Sequence, residues 1–484
     1  MTQHDLPTII QGGMGVAVSS WQLARTVALS GQLGVVSGTA LDAVLARRLQ
    51  DGDPTGDIHR ALDHFPVPAL AEVVRTKYFR PGGRTPGQPY LPVAKLTLRP
   101  TRAQQQLAVV ANFVEVWLAK EGHHGLVGVN YLEKVQLATP AAAFGAILAG
   151  VDYVLMGAGV PREIPRLLAD LAAMRVGRIG VDVHGSEAPH PLQLDPVDVL
   201  GGVALKELPC PRFLAIVSSH VLAGYLARDE SIRPYGFVVE GAPAGGHNAP
   251  PRNAALRDEL GQPVYGPRDE ADLAKIAALD IPFWLAGGYG TPAQVAAARE
   301  VGAAGVQVGT LFALSAESGI TADVRSDLLA RIGAGTLQVR TDALASPTGF
   351  PFKVAQLPGT LSEDELYEQR PRLCDLGYLR EPYLREDGDV GYRCAGEPVH
   401  MYVRKGGDVA DTAGRKCLCN ALTADVGMGQ TRRTGYQEMP LVTLGADTEG
   451  LTELLATHPD GWTATDAVTW LLRDLTREPA LVPA

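Results

Sequence analysis

Eight short β-branched runs, each ending in Gly, Ser, Asn or Thr or close to one, recur from the amino terminus to about residue 317 and constrain this chain more than any other feature. They are Thr8 to Gln11, Gly34 to Ser37, Gly125 to Asn130, Tyr153 to Met156, Phe213 to Ser218, Gly236 to Glu240, Phe283 to Ala286 and Gly305 to Val308. Most are followed by Ala/Leu-rich helical patterns such as Trp21 to Ser30 and Arg102 to Lys120. Apolar strands alternating with helices make a parallel sheet covered on its outer face, and eight such units are the number that closes a barrel. The expected fold class is α/β, a (β/α)8 TIM barrel, with an open doubly wound sheet as the competing architecture.

The glycines choose between the two. The first βα turn, Gly12-Gly13-Met14-Gly15-Val16-Ala17-Val18, misses the GxGxxG spacing of a doubly wound nucleotide fold. By contrast, Leu285-Ala286-Gly287-Gly288-Tyr289-Gly290 and Gln307-Val308-Gly309-Thr310 end the seventh and eighth strands, where a barrel commonly builds a phosphate site from loop amides. The plain alternative is that these glycines only make tight turns.

Residues 1–317 are expected to form the barrel, interrupted by insertions at about 66–100 and about 175–210, the second carrying His184 and His190. Residues 318–484 are expected to form a smaller α+β module serving as a lid or an oligomer contact, a homodimer being compatible. The net charge of -10 argues against a nucleic-acid partner, which normally requires a basic surface. Met1-Thr2-Gln3-His4-Asp5-Leu6 lacks the start of a secretory signal and no run is long enough to span a bilayer, so the expectation is a cytoplasmic protein with no membrane partner.

Two constellations carry chemistry. Glu240-Gly241-Ala242-Pro243-Ala244-Gly245-Gly246-His247-Asn248 places a histidine at the end of a glycine-rich loop directly after an apolar strand. Such a loop lets backbone approach a flat or phosphorylated ligand, and histidine ordinarily titrates near neutral pH. His247 is the catalytic candidate; Glu240 is read as a loop-orienting residue and kept outside the catalytic set. The second constellation is Cys374, Cys394, Cys417 and Cys419, with Cys210 remote. Four thiolates can hold zinc or an iron-sulfur cluster, but Cys417-Leu418-Cys419 is CxC instead of CxxC, so unpaired thiols are the favoured reading and no metal is assigned.

Gln11-Gly12-Gly13-Met14-Gly15, Gly241-Ala242-Pro243-Ala244-Gly245-Gly246-His247, Ala286-Gly287-Gly288 and Gly309-Thr310 together resemble the FMN-dependent nitronate monooxygenases, formerly called 2-nitropropane dioxygenases. The resemblance includes the related stand-alone enoyl reductases of polyketide and polyunsaturated fatty acid synthases. Asn248-Ala249-Pro250-Pro251 and Thr348-Gly349-Phe350-Pro351-Phe352-Lys353 look more like that enoyl reductase branch. The likeness covers about residues 7–317 and implies a noncovalent FMN. Its phosphate would lie on amides of Gly287, Gly288, Gly309 and Thr310. Its ring would contact Gly13, Met14, Gly15, Asn130, Met156, Gly157 and Ser218, with Ala242, Gly245 and Gly246 completing the cradle. For Met14 and Met156, core filling is the equal alternative.

The resemblance implies a flavoprotein oxidoreductase that oxidises alkyl nitronates with dioxygen, His247 transferring the proton in the neutral pH range. The alternative is a trans-acting enoyl reductase taking electrons from NADPH and acting on a carrier-bound acyl substrate. An alternative of another class is a non-catalytic flavin-barrel partner in a biosynthetic assembly.

Overall fold

The β-branched runs become the strands β1 (Ile9–Gln11), β2 (Gly34–Ser37), β3 (Val127–Leu132), β4 (Tyr153–Gly157), β5 (Arg212–Val217), β6 (Gly236–Glu240), β7 (Phe283–Ala286) and β8 (Gly305–Val308). All come from a computed structural model that describes residues 6–475. Every strand pair in the eight-stranded sheet is parallel, in the order β1-β8-β7-β6-β5-β4-β3-β2. The two edges also meet: Leu33 N donates to Ile9 O at 3.1 Å, and Gln11 N donates to Leu33 O at 3.0 Å. The sheet is therefore a closed (β/α)8 barrel, as the eight-unit alternation predicts.

Successive side chains on a strand point to opposite faces, and the alternation sorts them here. Ile10, Val35, Tyr153, Leu155, Leu214, Val238 and Trp284 pack together inside the barrel. Their neighbours Ile9, Val36, Val154, Met156, Phe213, Phe237, Val239, Phe283 and Val306 face the opposite way, into the larger core shared with the helices. Trp284 is fully buried, and its indole N–H donates to Pro7 O at 2.8 Å. The helices start where hydroxyls can satisfy open amides: Ser20 accepts from Leu23 N ahead of Trp21–Leu29, and Thr101 forms a reciprocal cap with Gln104 ahead of Arg102–Lys120.

The first insertion contains the helix Pro68–Tyr78, followed by a stretch without regular structure. The second folds as an antiparallel hairpin, Gly177–Val181 against His190–Leu194. After β8 the chain leaves the barrel, and the later helix Ala464–Leu472 returns to pack between Trp21–Leu29 and Pro292–Glu300, completing the outer ring. Its return is fixed by Trp462 Nε1, which donates to Leu311 O at 2.9 Å, and by Ala464 N, which donates to Glu317 at 2.8 Å. Between these points, the hairpin Val339–Asp342 and Phe352–Ala355 lies against the β6 loop: Lys353 N donates to Gly246 O and Asn248 N to Pro351 O, both at 2.9 Å. No helix among the described residues is long and apolar enough to cross a membrane.

Candidate active site

At the carboxyl end of the barrel the last inward-facing layer forms the floor of a cavity: Asn130, Gly157, Ile216, Glu240, Ala286 and Gln307. This is the end at which barrel enzymes carry their chemistry. The loop Gly12–Val16 forms one wall, and Pro243–His247, Ala286–Gly290 and Val308–Leu311 form the others. Of the residues expected at the site, Gly13, Met14, Gly15, Asn130, Gly157, Gly245, Gly246, His247, Gly287, Gly288, Gly309 and Thr310 all line this cavity.

Three expected residues do not line it. Met156 is buried with the core shared by the helices, because its phase on β4 is opposite to that of Tyr153 and Leu155; the alternative of core filling describes it. Ser218 falls just beyond β5, and Ile216 supplies that strand's part of the floor instead. Ala242 lies on the β6 loop outside the lining. Conversely, Gln307 and Glu240 stand on the floor although neither was assigned to the site. Both have the inward phase of their strands, two residues beyond Gly305 and Val238, and strict alternation was the signal that could have found them.

The local chemistry asks for a ligand. Asn130 Nδ2 donates to Gly13 O at 3.2 Å, while Asn130 Oδ1 and Gln307 Oε1 are buried and have no partner among the described residues. A buried, unmet acceptor is costly unless something with N–H or O–H groups fills the space beside it. At Gly13 any side chain would collide with this arrangement, since a Cβ would stand 2.3 Å from Asn130 Cβ. Gly287 and Gly288 both adopt positive φ, 80° and 89°, which keeps side chains out of the β7 loop and leaves its amides approachable.

The cavity is roofed from beyond β8. Gly246 N donates to Thr443 Oγ1, Gly445 N to Thr310 Oγ1 and Ala446 N to Pro243 O, all at 2.8 Å. These bonds staple Thr443–Asp447 across the β6 and β8 loops. Asp447 joins the lining, and its Oδ2 would lie 3.6 Å from a Cβ at Gly288. Tyr378, Leu379, Leu418, Cys419 and Leu422 supply an apolar side of the cavity.

His247 sits in the wall with Nε2 2.7 Å from Ser346 Oγ and its ring edge-on to Phe352, centroids 4.9 Å apart. Burial, reinforced by the nearby Lys134 charge, lowers its pKa to about 3. That differs from the neutral-range titration expected of it: His247 faces the cavity as a neutral imidazole. The groups that burial moves toward neutrality are others. Glu240 is raised to about 7, opposed by the Lys353 charge; Lys353 is lowered to about 8 by burial, opposed by Glu240.

The four carboxy-terminal cysteines do come together. Cys374 and Cys394 share a thiol hydrogen bond, which lowers Cys374 to about 7 and, with burial, raises Cys394. Burial pushes Cys417 up to about 11 and Cys419 to about 12. Among the described residues no group of three or more His, Cys, Asp or Glu side chains is arranged to hold a metal ion.

Fold and site together define a barrel with a glycine-lined cavity at the carboxyl ends of its strands, its floor carrying buried amide oxygens that have no partner among the described residues. The family profile described as nitronate monooxygenase matches residues 227–342, from before β6 to past β8. That match spans less than half of the chain and marks a likeness to the nitronate monooxygenases over that segment. No curated protein matches the sequence. Among solved structures, FabK from Thermotoga maritima is 16% identical with a TM-score of 0.49, covering 97% of this chain and 92% of that one. Nitroalkane oxidase from Streptomyces ansochromogenes is 16% identical with a TM-score of 0.42, covering 97% and 95%. The enoyl reductase domain of MlnA from Bacillus amyloliquefaciens is 13% identical with a TM-score of 0.45, covering 97% and 95%. At these identities and TM-scores the likenesses carry no argument, and the barrel stands on its own strand order.

Proposed function

We propose that the chain binds FMN in this cavity and oxidises alkyl nitronates with dioxygen. The observation that carries the reading is the unmet amide oxygens of Asn130 and Gln307 facing a cavity walled by the Gly12–Gly15, Gly287–Gly288 and Gly309–Thr310 loops. Asn130 and Gln307 would accept hydrogen bonds from the flavin ring edge or ribityl hydroxyls, and the loop amides would hold the phosphate. When bound, FMN supplies two-electron oxidation of the substrate and passes the electrons to dioxygen. His247, neutral and tied to Ser346, would orient the substrate through a hydrogen bond. The segment beyond residue 317 would act as the cover that excludes water, through the hairpin at Lys353 and the Thr443–Asp447 roof.

A second reading, NADPH-dependent reduction of an enoyl thioester, is favoured by one observation: Glu240 holds a protonatable carboxyl on the cavity floor near neutral pH. Anaerobic titration of the FMN-loaded protein separates the two. Bleaching by an alkyl nitronate supports the oxidase reading, whereas bleaching by NADPH with no response to nitronate replaces it with the reductase.

A further inference from the structure

We infer that Cys374 and Cys394 form a peroxide-reactive thiol pair, Cys374 taking up an oxygen atom and Cys394 closing a disulfide onto it. The pair lies in the carboxy-terminal region, and its chemistry does not depend on what turns over in the barrel cavity. In the first step the Cys374 sulfur attacks hydrogen peroxide: an S–O bond forms, the O–O bond breaks, and a sulfenic acid and water result. In the second the Cys394 sulfur attacks the Cys374 sulfur: an S–S bond forms, the S–O bond breaks and another water leaves. The two sulfurs together give up an electron pair, the peroxide is reduced to water, and both thiol protons end in that water.

The path of the chain brings the two thiols together. The hairpin Glu381–Leu384 with Val390–Arg393 doubles back so that Arg393 stands opposite Glu381, and Cys394 follows at the hairpin's open end. Cys374 lies ahead of the first strand, in a segment that Arg380 folds back by donating from Nε to Gly377 O at 2.9 Å. Arg372 Nη1 reaches across to Ala395 O at 3.4 Å and ties the two cysteine-bearing segments side by side. The thiols themselves are in hydrogen-bond contact, so closing the bond asks for side-chain adjustment and no change of chain path. Access sets the roles: Cys374 is partly exposed, whereas Cys394 is only 7% exposed, so peroxide meets Cys374 first and Cys394 resolves it. Lys95 Nζ donates to Cys374 O, which places an ammonium beside the accessible thiol. The Cys394 thiol holds Cys374 below the usual thiol range; burial opposes this, Lys95 and Arg380 favour the thiolate, and Glu397 disfavours it. The other cysteines are placed differently. Cys417 is buried and its sulfur accepts from Asn420 Nδ2 at 3.5 Å, Cys419 lines the barrel cavity, and the exposed Cys210 thiol is turned to Pro211 O. The disulfide would tie down the segment that carries Tyr378 and Leu379 into the apolar side of that cavity.

The test is peptide mapping of the full chain. Protein that has been reduced and freed of reductant is treated with equimolar hydrogen peroxide, its remaining thiols are alkylated under denaturing conditions, and the digest is read by mass spectrometry. Expected is a peptide linked through Cys374 and Cys394, two hydrogens lighter than its parts and split by dithiothreitol, with the other three of the five cysteines still alkylated. Cys394→Ser should leave Cys374 as a sulfenic acid that dimedone traps, and Cys374→Ser should leave Cys394 fully alkylated. Cys210, exposed but without a thiol neighbour, is the internal control and should be lost more slowly than Cys374. A link from either cysteine to Cys417 or Cys419, dimedone trapping at Cys394 in the wild-type chain, or loss of Cys374 no faster than that of Cys210 overturns the inference. The wild-type map decides the pairing even where a variant fails to fold.

Discussion

Alanine at the two adjacent glycines of the β7 loop should damage FMN binding very unequally. Both residues have positive φ, 80° at Gly287 and 89° at Gly288, so either substitution pays the left-handed cost of about 1–2 kcal/mol. They differ in what the new methyl meets. At Gly287 it would lie 2.7 Å from Gly241 O and 2.9 Å from Ala244 N, both backbone atoms of the β6 loop. At Gly288 the nearest atom is Asp447 Oδ2 at 3.6 Å, an ordinary contact. Overpacking against unyielding neighbours adds about 1–3 kcal/mol, bringing Gly287→Ala to about 2–5 kcal/mol. An empty loop can relax, whereas a loop presenting its amides to a phosphate cannot, so the strain falls on binding. At tenfold per about 1.4 kcal/mol, Gly288→Ala should weaken FMN about 5- to 30-fold and Gly287→Ala from about 30-fold to several thousand-fold. Quenching of FMN fluorescence on titration into apoprotein measures both. A Gly287→Ala protein binding within threefold of wild type, or binding better than Gly288→Ala, refutes the placement of the phosphate on this loop.

Two other perturbations follow. Asp447 sets a carboxylate beside Gly288, where the proposed FMN phosphate would lie, so Asp447→Asn should tighten FMN binding several-fold at low ionic strength, the gain shrinking as salt is added; unchanged affinity at low salt would place the phosphate elsewhere. Arg370 and Glu438 form a fully buried bidentate pair, at 2.5 and 2.8 Å, that holds the carboxy-terminal region together. Arg370→Met strands Glu438 and should cost about 3–5 kcal/mol in denaturant unfolding, while replacing both by apolar residues should recover most of it; equal losses in the single and double variants would contradict the pairing.

Much of the barrel was legible because each β-branched run stops at, or just before, a small or polar residue, and Gly236 to Glu240, Gly34 to Ser37, Phe283 to Ala286 and Gly305 to Val308 match their strands residue for residue. The glycine loops were legible for a similar reason: the requirement for small residues is local. Strand phase was harder to read, since Met156 and Glu240 both lie near strand ends and only counting from the interior residues shows that one faces the helices and the other the cavity. The roof was not legible at all. Thr443–Asp447 reaches its place through single hydrogen bonds to Gly246, Thr310 and Pro243, far away in sequence, and such contacts leave no periodic pattern. His247 shows the same limit in its electrostatics, because the burial and the Lys134 charge that keep it neutral are tertiary.

A crystal structure of the FMN-reconstituted protein tests the central claim most directly. The account predicts one flavin per chain at the carboxyl rim of the barrel, its phosphate on the Gly287–Gly288 and Gly309–Thr310 amides and its ring or ribityl chain meeting the amides of Asn130 and Gln307. Density for flavin elsewhere, or a rim that stays closed by its own side chains under saturating FMN, would contradict it.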